Sequence, residues 1–331
     1  MLPFQRFASP VIILVSVASL AACEDPIVPP GGASAPQDPA AAQFVTSDIE
    51  NFWRAYDAGA SAAAFQTGYL DAGSAGLKGF ARAKGLTAAN LAATVQRYPR
   101  YYASIRPNTL RLSGDEALLD RIRENYGRIE ALYPESVFPP LTFILGRFTN
   151  GGTVAAEGMM IGAEFYGVGP GTPLDELPRF PREVVQPLDA IPVIVAHEHV
   201  HVLQLRAGGV WTGSKQTLLE LALMEGSADF VSGLVAGTHS NADLWAYAIL
   251  HEGEIWEEFR HAMYGTDSSQ WLYNRASATG ERPGDLGYFI GYRIAEAYYA
   301  RASDKRSALR DIIEMKNAAA FLAASGYTGG G

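Results

Sequence analysis

Cysteine is all but missing. Cys23 is the only one in 331 residues, so no disulfide can close within the chain and no thiolate cluster can hold a metal. Positive charge is short as well: Lys and Arg total 26 against 35 Asp and Glu, a formal net charge of -9, with no basic stripe. That balance speaks against nucleic acid as a partner. Histidine is rare, with six in all, so any cluster of it is informative. The apolar stretch near the start, residues 11–22, is too short to serve as a permanent membrane span.

What is present describes a globular chain with ample material for a core, 48% hydrophobic and 18% charged. One large domain, or one domain with a small helical annex, is the natural expectation. Residues 1–22, with Arg6 ahead of the apolar stretch, read as a signal peptide. The run Leu20-Ala21-Ala22-Cys23 resembles the lipobox of bacterial lipoproteins, which implies that Cys23 is lipidated and anchors the protein to the cell envelope. Glu24 follows it, not the Asp that favours inner-membrane retention in enteric bacteria, so the expectation is the outer membrane, facing the periplasm. Residues 23–46, rich in Pro and Ala, read as a flexible tether, and residues 47–331 as the folded domain.

Helical spacing marks residues 48–56, 87–102 and 114–132; in the last, Leu118, Leu119, Ile122, Tyr126, Ile129 and Leu132 recur on one face. Residues 141–148 and 158–165 are rich in aromatic and apolar residues and flank the turn signal Asn150-Gly151-Gly152. They predict a small, mainly antiparallel sheet. A Pro- and Gly-rich loop over 167–181 leads into a second, largely helical half. The fold class expected is α+β, mostly helical.

Residues 190–207, AIPVIVAHEHVHVLQLRA, are apolar nearly all the way round, with Pro192 tolerable in a first turn and Gly208-Gly209 as a stop. Such a helix must be buried. Within it, His197-Glu198-His199-Val200-His201 fits H-E-x-x-H. Histidines four apart share one helical face, so both imidazoles can reach one tetrahedral metal, Zn2+ being the expected ion. Glu198 projects beside the pair, where it can take a proton from the attacking water. With six His and 20 Glu in the chain, chance supplies roughly 0.006 such motifs.

The third ligand defines the site. Gln204 and Ala207 stand where the metzincin pattern needs Gly and His, which closes that option. Residues 215–235 read as another buried helix carrying Glu220, Glu225 and Asp229. Glu225 is the favoured ligand, because Asp229 one turn on can accept from the non-ligating nitrogen of a metal-bound histidine. Glu220 remains the competitor, but Met224 stands four residues beyond it and can play no such part. E-x-x-x-D after H-E-x-x-H resembles the second motif of gluzincins such as thermolysin.

HEHVHVLQ, MEGSADFVSGLV, GDLGYFIGYRIAEAYY (284–299) and FLAASGY (321–327) together resemble bacterial families assigned by motif as zinc-dependent proteases and related to gliding-motility lipoproteins. The resemblance runs from about Ser47 to the C-terminus. It implies a zincin-like catalytic domain with His197, His201 and Glu225 on the metal and Glu198 as general base. Peptide or protein would be the substrate and the membrane a partner through the lipid anchor.

Weaker signals surround this site. His199 faces away from the ligands and reads as a supporting or packing residue. Tyr288 and Tyr292 are candidates to stabilise an oxyanion, although an aromatic stripe equally suits a core. Residues 158–165 could be an edge strand that pairs with an extended substrate, or a plain structural strand. His251-Glu252 opens a second motif that fails at Ile255. Two other functions fit the same residues: a zinc-binding lipoprotein that serves as an envelope assembly or binding subunit and cleaves nothing, and a zinc amidase acting on non-peptide envelope material.

Overall fold

The computed structural model describes residues 35–238, 242–275, 278 and 282–330. The expected signal peptide and the lipidation site Cys23 lie outside them. Strand β1 (Phe44–Val45) precedes helices α1 (Ser47–Asp57), α2 (Ala62–Phe65), α3 (Ala75–Lys84), α4 (Ala88–Arg97), α5 (Pro99–Arg111) and α6 (Glu116–Leu132). Strands β2 (Leu141–Ile144), β3 (Gly152–Ala155) and β4 (Gly158–Gly162) follow. The second half comprises α7 (Arg179–Val184), α8 (Ile191–Ala207), α9 (Leu218–Ala236), α10 (Ala242–Ala248), α11 (Glu252–Ala262), α12 (Leu286–Arg301), α13 (Lys305–Ile313) and α14 (Ala318–Ser325). The class is α+β, mostly helical.

Local chemistry sets several of these bounds. Ser74 and Asp115 cap α3 and α6 by accepting from Leu77 N and Leu118 N, both at 3.1 Å. The helix expected over 87–102 is two helices, because Tyr98 leaves helical geometry (φ -126°, ψ 52°) ahead of Pro99, which opens α5. Residues 36–45, expected in the tether, already lie on the domain. Phe138 N donates to Pro36 O at 2.7 Å, Leu141 N to Gln43 O at 2.9 Å, and Phe44 and Val45 pair with Leu141 and Thr142.

The sheet runs β1-β2-β4-β3 and is mixed: β1 with β2 and β2 with β4 are parallel, while only β3 with β4 is antiparallel. This corrects the expectation of a mainly antiparallel sheet. The Asn150-Gly151-Gly152 signal is not a hairpin turn between 141–148 and 158–165. Gly152 begins β3, the reversal comes after Ala155, and the 158–165 segment supplies an inner strand rather than an edge. Alternation along the strands puts Thr142, Met160 and Thr153 in one row and Phe143, Ile161 and Gly152 in the next. Thr142 lies against Gly76 of α3, and Gly152 against Glu198 of α8, so the two helices cover opposite faces. Both faces covered explains why every residue of β2 and β4 is buried.

The loop that leaves β2 toward the site is held from beneath by an aromatic layer of α1, α2, the helical turn Gln66–Asp71 that follows it, and α5. Phe52 packs on Phe65 and Tyr69 with ring centroids 5.2 and 5.4 Å away. Tyr69 OH donates to Leu145 O at 2.8 Å, and Tyr102 OH to Gly146 O at 2.7 Å. Buried Glu164 accepts from Gly146 N at 2.8 Å and Phe148 N at 3.1 Å. Burial pushes its carboxyl up to about 7 despite these bonds.

Candidate metal centre

Helix α8 is buried from Ile191 through Gln204, packed against the sheet on one side and α6 and α9 on others. No polar stripe is needed on such a helix, so its histidines and glutamate are there for each other. His197 Nε2 and His201 Nε2 face one another at 3.0 Å. Glu225 Oε2, from α9, stands 3.5 Å from the first and 3.3 Å from the second. Among the described residues this is the one group of three or more His, Cys, Asp or Glu side chains with the convergence a metal needs. A tetrahedral ion with ligand bonds of ~2.0–2.2 Å requires its ligand atoms ~3.3–3.6 Å apart, so two of the separations fit zinc and the third needs only a slight opening.

The far side of each imidazole fixes which nitrogen faces the centre. His197 Nδ1 stands 2.7 Å from Asp229 Oδ1, one turn beyond Glu225 on α9. His201 Nδ1 stands 2.8 Å from Gln204 Oε1. The Gln204 amide donates to Met224 O at 3.1 Å and Ser227 Oγ at 2.9 Å, so its oxygen must turn to the imidazole as an acceptor. Both histidines therefore carry a proton on Nδ1 and aim Nε2 at Glu225.

Two lone pairs and a carboxylate oxygen so close together demand a cation. Burial pulls the His197 imidazole down, but the Asp229 and Glu225 carboxylates outweigh it and hold it far above its usual range, at about 10. Burial pushes Glu225 up, yet the facing imidazoles hold it down at about 2. The centre thus collects positive charge, either as protons on the histidines or as a bound ion.

Glu198 projects to the sheet side of this cluster. Neither of its carboxyl oxygens has a hydrogen-bond partner among the described residues. A Cβ at Gly152 would fall 2.1 Å from Glu198 Oε1, which is why β3 begins on a glycine. Burial pushes the Glu198 carboxyl up to about 7, against the lowering influence of His197, His201 and Lys84.

Glu220 is not in the cluster. It forms a capping box at the start of α9, accepting from Thr217 N at 2.7 Å, and so serves the helix end. His199 lies on another face of α8, its ring 4.8 Å from Tyr126 and 4.9 Å from Phe138, with Nε2 2.7 Å from Val137 O. Burial holds it down at about 4, a neutral packing residue.

Helix α12 closes the far side. A Cβ at Gly226 would strike Tyr292 N at 2.2 Å and one at Gly291 would strike Ala222 O at 1.7 Å, so α9 and α12 meet backbone to backbone through these two glycines. That crossing brings Tyr288 close enough to feel the Glu225 charge, with its hydroxyl buried and without a hydrogen-bond partner among the described residues. Tyr292 instead packs on Phe230 and Trp245, with centroids 5.4 and 4.6 Å away.

Three contributors are marked by no motif or period. Gln204 reads only as a missing ligand of the metzincin pattern, and Gly152 as a turn residue. Tyr273 donates to Glu225 Oε1 at 2.6 Å from a backbone at φ 57°, in a stretch with no periodicity to mark it. Its neighbour Asn274 exchanges bonds with buried Asp285, N to Oδ1 at 3.0 Å and the reverse at 2.7 Å, which fixes Tyr273 over the carboxylate.

The model of the family described as gliding motility protein GldB matches residues 83–329, a span that holds every residue of this centre. No curated protein and no solved structure matches the chain. Since the match covers about three quarters of the sequence, the chain belongs to the gliding motility protein GldB family.

Proposed function

We propose that the chain is a zinc-dependent peptidase of zincin-like fold, carried by a lipid-anchored protein of the bacterial cell envelope. The observation that supports this most is Glu198. Its carboxyl lies beside the convergence of His197 Nε2, His201 Nε2 and Glu225 Oε2 and accepts no hydrogen bond among the described residues. A structural zinc centre fills its coordination with protein ligands and has no use for a further free carboxyl, whereas a hydrolytic one leaves a position open.

The chemistry a bound zinc supplies here is Lewis acidity toward the scissile carbonyl and the attacking water. Glu198 accepts the proton of that water and returns it to the leaving amine, its carboxyl poised by burial near neutrality. Asp229 and Gln204 hold the imidazoles in one tautomer, and Tyr273 holds Glu225. The unpartnered Tyr288 hydroxyl is the candidate to meet the developing oxyanion. Strand β3, the sheet edge next to α8, offers main-chain bonds to an extended peptide.

A second reading has its own support. Family membership speaks for a motility lipoprotein of the cell envelope without speaking for hydrolysis. The centre is also deeply enclosed, with His197 1% exposed and Glu198, His201 and Glu225 0%. A zinc-stabilised assembly or binding subunit fits both facts.

Incubating the zinc-loaded protein with a mixed peptide library, beside Glu198→Gln, separates the readings by mass spectrometry. Cleavage by the parent that vanishes in the variant supports the peptidase. Two inert proteins, each holding one zinc, would overturn it in favour of the binding subunit or an amidase on non-peptide material.

A further inference from the structure

Away from the metal, a cavity of about 330 Å³ opens between α4, the turn after β2 and α7, and it includes Arg97, Tyr98, Arg147, Phe148, Phe180 and Pro181 in its lining. That volume falls within the ~300–1,000 Å³ of small-ligand pockets. Its lining includes two arginines and no acidic residue.

In this acidic chain most such arginines are matched. Arg100 pairs with Asp175 at 2.8 Å, Arg106 with Asp57 at 2.6 Å, and Arg179 with Glu183 at 2.8 Å. Arg97 and Arg147 have no carboxylate partner among the described residues. The Nε of Arg147 is buried without any hydrogen-bond partner, and its Nη2 reaches only Lys84 O, at 3.5 Å. A buried guanidinium N–H left unmet is costly, and a carboxylate is the acceptor whose planar geometry matches it. Apart from Thr94, the remaining walls are aromatic rings, prolines and Ala93. Arg97 lies over the Tyr98 ring at 5.6 Å, and Tyr98 meets Phe148 edge to face at 6.0 Å.

We infer that this cavity binds a carboxylate carried on an aromatic body, the acid facing Arg97 and Arg147 and the ring facing Tyr98, Phe148 and Phe180. A peptide end or free acid with an aromatic C-terminal residue has this chemistry. A phosphate ester would meet the same two guanidiniums, so phenyl phosphate belongs in the test as the competing anion. The segment that carries Arg147 continues to Gly152 against Glu198, so one short loop joins this pocket to the metal centre. The inference does not depend on hydrolysis at that centre.

The test is calorimetric titration of the whole protein with N-acetyl-L-phenylalanine, its amide and phenyl phosphate, with zinc present and after chelation. The acid should bind saturably with and without metal, and the amide at least ~10-fold more weakly. Arg147→Gln and Arg97→Gln should each weaken the acid by at least ~10-fold, and Glu198→Gln should leave it unchanged. Arg97 is exposed, so its variant keeps the test decisive if Arg147→Gln fails to fold. Equal binding of acid and amide, tighter binding of phenyl phosphate than of the acid, or loss of acid binding on chelation would each overturn the proposal. The last would place the carboxylate on the metal instead.

Discussion

Three histidines within five residues of one buried helix meet two different surroundings. His197 and His201 each have an oxygen within 2.8 Å behind the ring, from Asp229 and Gln204, and converge through Nε2 on a carboxylate. His199 is wedged between Tyr126 and Phe138 and spends its Nε2 on a backbone carbonyl. Residue type and burial are the same in both places, so neither identifies a metal ligand. What separates them is the acceptor behind the ring, which decides where the lone pair points.

The sharpest break of that contrast removes a converging group. His201→Ala or Glu225→Ala should lower zinc affinity by far more than ~100-fold, leaving less than one equivalent after dialysis. Retention of full zinc in either variant would dissolve the distinction. Asp229→Asn and Gln204→Ala leave every converging atom in place and remove only what lies behind it. Each should weaken zinc by ~10–100-fold in competition with a chromophoric chelator.

His199→Ala gives the opposite profile. Zinc affinity should stay within ~2–3-fold, while thermal or urea unfolding reports a loss of roughly 2–4 kcal/mol from the cavity left between two rings. Glu164→Gln probes the loop that feeds the site. Its folded carboxyl titrates at about 7 against an ordinary 4.5, so its ionisation disfavours the fold. Its stabilising contribution is present below pH 4.5 and is lost as pH rises toward 7, by up to about 3 kcal/mol. The parent should therefore lose stability across that window relative to Glu164→Gln, measured by urea unfolding at several pH values. A parallel pair of curves would contradict the assignment. The smallest effect is expected of Gly152→Ala, whose Cβ pushes the movable Glu198 carboxyl aside at a cost of ~1–2 kcal/mol, read by urea unfolding.

Much of the centre was legible because helical spacing is geometry. His197, Glu198 and His201 share a helix, and Glu225 with Asp229 repeats the one-turn logic on the next. Their meeting depended only on α8 and α9 packing together, which two mostly apolar helices in sequence make natural. The sheet was legible only in part. Residues 141–148 and 158–165 read as a hairpin because a Gly-Gly pair usually marks a turn, whereas here Gly152 is small to admit Glu198, a constraint from a helix 46 residues further on. Tyr273 and the Gly226–Gly291 crossing were out of reach for the same reason, since both are contacts between distant segments.

Zinc binding by His197, His201 and Glu225 can be seen directly. A crystal of the zinc-loaded protein, with anomalous diffraction recorded on both sides of the zinc edge, tests it most directly. A single strong peak is expected ~2.0–2.2 Å from His197 Nε2, His201 Nε2 and Glu225 Oε2, with Glu198 outside bonding distance. No peak there, or one held by Glu198 or His199 instead, would contradict it.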